Sequence, residues 1–263
     1  MLRWGKMYLI FIKQYVKILF QSKLDFLLGV IAFLFNQVLG VVFLLLVSSK
    51  VPKLNDWNYD ELLFMYGFFQ IPKGIDHLLT DNLWTIAWYQ IRVGKFDKYL
   101  LRPANLLFQI IAEKIQFDGL GEIALGITIM LKVMKNTGFV FDYREIMYMI
   151  ISIILGATIW SSVKIIISSA AFWIKESGEM LQTVYQLSDY SKYPITIYPN
   201  IVKQIITYII PFAWVAYYPS CYLLGKVTGV RMIFNQTLIT LVVVIFAMFI
   251  FRLGVKKYES VGN

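Results

Sequence analysis

One cysteine and one histidine are all that this sequence offers for thiol or imidazole chemistry. Cys221 has no partner for an internal disulfide, and His77 belongs to no histidine cluster, so Cys/His metal sites are excluded. Charge is scarce as well. Of 263 residues 16% are charged, whereas 59% are hydrophobic and 17% aromatic. A soluble domain of this length needs far more polar surface, so the composition is that of a membrane protein. The net charge of +9 then marks the flanks of lipid-buried segments, not a nucleic-acid interface. A phosphate-binding G-x-x-x-x-G-K-[ST] loop is also missing: Gly5-Lys6, Gly94-Lys95 and Gly225-Lys226 are followed by Met, Phe and Val. GLGEIA, residues 119–124, formally fits G-x-G-x-x-[GA], but it lies inside an apolar run and follows no strand. Its small residues suit close helix packing instead.

What is present is a set of long apolar runs, and they predict an all-α, polytopic membrane protein. Arg3, Lys6, Lys13, Gln14, Lys17 and Gln21 fall within one helical sector of roughly 100°, opposite Trp4, Tyr8, Phe11, Tyr15 and Leu19. Residues 1–23 therefore read as an amphipathic helix in the membrane interface, not as a cleavable signal. A spanning helix needs about 20 mostly apolar residues. Phe26–Val47, Asp60–Thr80, Ala104–Leu131, Ile146–Val163 and Met232–Phe251 qualify, the second only weakly. Between Lys164 and Arg231 two readings stand. Hydropathy favours a span over Ile201–Leu224; the alternative spans Ala170–Tyr193 and leaves 194–224 as a proline-broken element in the outer leaflet. Either gives six spans in one domain, with both termini on one side. With the N-terminus inside, the first reading places 14 basic residues in inner segments against 7 outside, and the alternative 13 against 8.

Residues 81–103 then join the second and third spans on the inner side. Trp84, Trp88 and Tyr89 suit the interface belt, Phe96, Tyr99 and Leu100 recur at helical spacing, and Pro103 stands where the next helix should begin. A short amphipathic helix is expected here; physics alone allows it to be no more than a topology signal. Lys114, Asp118 and Glu122, four apart, should share one face of the third span. That face is either an ion-paired packing surface or a polar stripe along an interface or path, and Asp76 with His77 pose the same choice. YYPSCY, residues 217–222, reads as an interfacial aromatic belt or part of an outer gate.

The stretch GKFDKYLLRPANLLFQ, residues 94–109, resembles the intracellular connection of bacterial ABC-2 type exporter permeases of the six-span branch. YPITIYPNIVKQIITYIIPFAWVAYYPSCYLLGK, residues 193–226, is similar to the second signature of that branch. Neither is catalytic; their order and spacing carry the likeness over most of the chain. The resemblance implies a permease subunit in a bacterial cell membrane, without an ATPase site of its own. Two ATPase subunits carrying ATP and Mg would bind beneath it, beside a second permease that is identical or a similar paralogue. Lys95, Phe96, Asp97, Lys98, Tyr99, Leu100 and Arg102 would couple to the ATPases, with Phe96, Tyr99 and Leu100 filling an ATPase cleft. Asp118, Glu122, Glu176 and Glu179 would face the path or the interface, and Tyr217, Tyr218 and Pro219 the outer gate. The resemblance favours the Ala170–Tyr193 span. The substrate would be an amphiphile, a drug, peptide or lipid. Competing classes are an ion-coupled secondary transporter using Asp76, His77, Asp118 and Glu122, and a non-transporting membrane scaffold.

Overall fold

A computed structural model describes residues 23–50, 53–227 and 231–260. The interfacial helix expected before residue 23 lies outside them. The described residues are helical, without strands. α1 is Lys23–Lys50 and α2 is Tyr59–Thr80. α2 starts at a capping box: the Asn58 side chain accepts from the Glu61 N–H, and the Glu61 carboxylate accepts from the Asn58 N–H. That satisfies two of the donors a helix start leaves open. After a single turn, α3 (Asp97–Leu100), come α4 (Leu106–Glu113), α5 (Asp118–Thr137) and α6 (Tyr143–Ser169). α6 has its own capping box, Asp142 with Glu145. α7 is Gly178–Ser188, α8 Asn200–Gln204, α9 Tyr217–Leu223 and α10 Arg231–Lys257.

Contacts between distant residues define two ends of the bundle. At the end called lower here, the Ser177 N–H donates to the Ala87 carbonyl at 2.8 Å, and Phe96 packs on Phe172 and Tyr258 at 5.0 and 4.9 Å. At the upper end, Asn55 donates to the Thr196 carbonyl at 3.0 Å and Lys226 pairs with Glu61 at 2.8 Å. The chain changes ends along α1, α2, α4–α5, α6, α7 and α10. Residues 200–223 instead start and finish at the upper end. They bend by 73° at Ile210–Pro211 and bring Phe212 against Trp160, in the middle of α6. Their return to the upper end has the path of the proline-broken element in the alternative reading, while their combined length and apolarity are those of the span in the hydropathy reading. Residues 170–193 are nevertheless not one helix: the turn Ala171–Ile174 stops at Lys175, whose φ of 67° is left-handed, and Gly178 restarts it.

Among the described residues, Tyr143–Ile174 and Arg231–Lys257 are long and apolar enough to cross a membrane. At 1.5 Å per residue, the 27 residues of α10 span about 40 Å, more than a hydrocarbon core of about 30 Å. The bent pair is a further candidate.

α2 and α5 are the closest neighbours, antiparallel, through matched glycines. A Cβ on Gly119 would sit 2.3 Å from the Gly74 carbonyl oxygen, and one on Gly126 2.5 Å from that of Gly67. Only glycine permits this approach, as the small residues of GLGEIA led us to expect.

The third predicted span is corrected. Ala104–Leu131 is broken after Glu113: Lys114 is extended at φ −139° and ψ 134°, and Asp118 starts a new helix. The break is compensated, because the Gln116 N–H donates to the Leu78 carbonyl of α2 at 3.3 Å. Pro103 does not start α4 either. Asn105 caps it, its side chain accepting from the Phe108 N–H.

Candidate functional site

The lower end is built on the segment 81–103. Gly94 turns the chain at φ 70°, a left-handed conformation natural to glycine. The turn sends Phe96 and Tyr99 inward, where both are fully buried among Leu83, Ile86, Phe172 and Phe251. They therefore do not form the exposed anchors expected from their spacing. Helical period shows which residues share a face, but not whether that face meets the chain's own core or a partner. The outward residues are Leu100, 47% exposed, and Leu101, 84% exposed, beside exposed Arg102.

Polar contacts fix this turn to the rest of the bundle. Tyr99 donates its hydroxyl to Glu113 at 2.5 Å, and Lys98 pairs with the other oxygen of that carboxylate at 2.5 Å. Burial, then the neighbouring Glu113, pushes the Tyr99 phenol well above its ordinary range. Ser260 donates to Asp97 at 2.6 Å, and Arg92 pairs with Glu176 at 2.5 Å across the elbow before α7. Lys95 lies over the Tyr89 ring at 5.7 Å. α3 is thus tied to the α4–α5 break through Glu113 and to the segment after α10 through Ser260, and the turn before it is tied to the foot of α7 through Glu176.

Above this end lies a layer of buried charge. Lys164 of α6, with no exposed side chain, pairs with Asp76 of α2 at 2.8 Å and with Asp81 at 3.3 Å. Asp76, equally buried, also accepts from Tyr185 of α7 at 2.6 Å, Thr80 at 2.6 Å and Ser161 at 3.0 Å. One turn away Glu122 of α5 faces His77 at 2.8 Å and Lys73 at 3.4 Å. His77 stacks on the Tyr185 ring at 5.6 Å and joins the two sets. A buried carboxylate or ammonium needs such pairing, since removing one partner costs about 3–5 kcal/mol. The layer ties α2, α5, α6 and α7 together.

The sequence also matches the family profile described as "ABC-2 family transporter protein" over residues 12–262. The chain belongs to the ABC-2 transporter family. No individually curated protein matches it significantly. ABC-2 permeases are typically membrane subunits without catalysis of their own, and they generally work with ABC ATPase subunits.

Within this ABC-2 protein, the predicted site residues separate into groups. Lys95 to Arg102 are brought together at the lower end. Lys114, Asp118 and Glu122 do not share a face, because the helix break removes Lys114 from α5; Asp118 is exposed and accepts from Gln116 at 2.8 Å, whereas Glu122 looks across to α2. Glu176 stays at the lower elbow with Arg92, while Glu179 is exposed on α7. Tyr217, Tyr218 and Pro219 sit at the start of α9, turned inward: Tyr217 against Trp57 at 5.8 Å, Tyr218 on Trp214 at 4.1 Å, and Pro219 buried. Missed by the sequence reading were Lys164, Tyr185, Lys73 and Glu113. The signal for Lys164 was present, as a lysine at the lower edge of an apolar helix, with the acids more than 80 residues earlier in and just after α2; only a fold could pair them.

Proposed function

We propose that this chain is the membrane permease of an ATP-driven exporter, crossing a bacterial cell membrane six times with the lower end and both termini cytoplasmic. Two such permeases, identical or similar, pair above two separate ATPase subunits that bind ATP and Mg, and together they move an amphiphile outward. The observation that carries the reading is the rigidly backed turn at the lower end. Leu100 and Leu101 project from it while Phe96 and Tyr99 anchor it within. Apolar side chains held on a stiff base and flanked by a cation suit a docking centre with a polar rim. Family membership supplies the partner class.

The test is a pull-down of tagged permease in mild detergent, with mass spectrometry of the bound proteins. Losing one central anchor typically costs about 2 kcal/mol, roughly 30-fold in affinity. Leu101→Asp should therefore release the ATPase while the permease still inserts and elutes as native. Lys98→Ala should be mild by comparison. Full ATPase recovery with Leu101→Asp and Leu100→Asp together contradicts the reading.

A further inference from the structure

α7 has an exposed face that does not belong in lipid. Glu179, Gln182, Thr183 and Gln186 are all exposed, and at 100° per residue they fall within a sector of roughly 100°. Tyr190, 43% exposed, continues the same line one turn higher. The opposite side of α7 carries buried Leu181 and Ser188, and it also sends Tyr185 to Asp76 in α2. The stripe begins at the lower end, where Gly178 packs on Trp88, and runs up to the level where Tyr193 meets Phe43 of α1. It therefore lies at the depth of the membrane-crossing helices. The side-chain amides of Gln182 and Gln186 cannot face hydrocarbon there, because no lipid group would satisfy them, and Glu179 lies below them in the first turn of α7.

The chemistry of the stripe is one-sided. Its one formal charge is Glu179, which has no ion pair among the described residues; the two glutamine amides both donate and accept, and their carbonyl oxygens are available to a cation. The Thr183 hydroxyl already donates to the Glu179 carbonyl. Tyr190 presents a ring able to receive a cation. The neighbouring basic groups stand off this face: Lys192 is paired with Asp189 at 3.2 Å, and Lys175 precedes the helix at the lower elbow. We propose that the exposed face of α7 is the wall of a water-filled path, and that it takes substrates bearing a cationic head group. The proposal rests on the permease reading and narrows its substrate class. The carboxylate at the lower mouth draws in the cation, the glutamines replace its hydration, and the Tyr190 ring receives it nearer the upper end.

The probes are two small water-soluble thiol reagents of similar size, one cationic and one anionic, applied to the full-length protein in membrane vesicles. Single-cysteine variants Gln182→Cys, Thr183→Cys and Gln186→Cys are made in a Cys221→Ser background, beside Leu241→Cys and Ile245→Cys on the exposed face of α10. The three α7 variants should react and the two α10 variants should stay silent. Corrected for intrinsic reactivity, the cationic reagent should react about tenfold faster at position 182. That is the ratio expected when one unit charge roughly 6 Å away attracts one probe and repels the other in water. Adding Glu179→Gln should bring the two rates together. The proposal fails if the α7 thiols are as silent as those of α10, including when they cross-link to a second copy that covers them. It also fails if the charge preference is missing or survives Glu179→Gln. Co-purification of the ATPase is scored on the same vesicles, so loss of the motor and loss of the path are read separately.

Discussion

α7 and α10 both run between the ends of the bundle and both leave a broad face uncovered, but the faces are opposite in kind. On α10 the exposed side chains are Phe234, Leu238, Leu241, Val242, Ile245, Phe246 and Phe249. On α7 they are Glu179, Gln182, Thr183 and Gln186 on one side, with Met180 exposed beside them. The inner faces differ too. α10 is seated by Gln236, which donates to the Ser152 and Trp214 carbonyls at 3.1 and 2.9 Å, and by Gly254, whose missing side chain admits the Phe172 ring. α7 is held through Tyr185, and thereby through the Asp76–Lys164 pair. α10 thus turns an apolar face outward, whereas α7 turns a polar one outward and is held within by Tyr185, by buried Leu181 and by the contacts of Ser177 and Gly178 with Ala87 and Trp88 at its foot.

The comparison breaks most severely at Lys164. Lys164→Met leaves Asp76 buried without its cation and should cost about 3–5 kcal/mol. Limited proteolysis should then cut near α7 before α10, and Asp76→Asn added to Lys164→Met should recover most of the loss, as read by thermal unfolding in detergent. Next in size is the lipid face of α10. Ile245→Asp puts a carboxylate near the centre of a spanning helix and should cost about 3 kcal/mol of insertion, visible as lost membrane-integrated protein. Gln186→Asp, the parallel change on α7, should insert normally. Tyr185→Phe removes one hydrogen bond to a charged group, worth about 2 kcal/mol, and should loosen α7 in hydrogen exchange while α10 keeps its protection. The smallest effect on stability is expected from Gln182→Leu, less than about 0.5 kcal/mol, because that side chain is exposed and makes no hydrogen bond among the described residues. Its transport rate should nevertheless fall.

Much of this arrangement was legible in the sequence. The apolar runs of α1, α6 and α10 declared themselves by length, and the small residues around Gly119 announced a close helix pair. Residues 81–103, read as the connection between the second and third spans, do join α2 to α4 at one end of the bundle. Less could be read from it about direction: Phe96 and Tyr99 recur on one face, but their spacing is the same whether that face is core or docking surface. The break after Glu113 was hidden because the residues around it are good helix formers, and only the tertiary contacts of Tyr99, Lys98 and Leu78 make it favourable. Lys164 escaped for a similar reason. A lone lysine at the edge of a hydrophobic helix looks like a boundary marker until a carboxylate from another helix is found beside it. Hydropathy ranked Ile201–Leu224 above the more polar 170–193 as a crossing. The bent pair Asn200–Ile209 with Phe212–Leu223 is indeed long and apolar enough, whereas the 11 residues of α7 are too short to qualify alone. What hydropathy could not show is the 73° bend at Ile210–Pro211.

The most direct measurement of the difference between α7 and α10 is a nitroxide scan of residues 179–190 and 234–249 in lipid bilayers. Collisions are recorded with dissolved oxygen and with a water-soluble nickel complex. The account predicts that nickel accessibility peaks at positions 182, 183 and 186, and that oxygen accessibility peaks at 238, 241 and 245. Oxygen-dominated collisions at 182 and 186, matching those at 241 and 245, would contradict it.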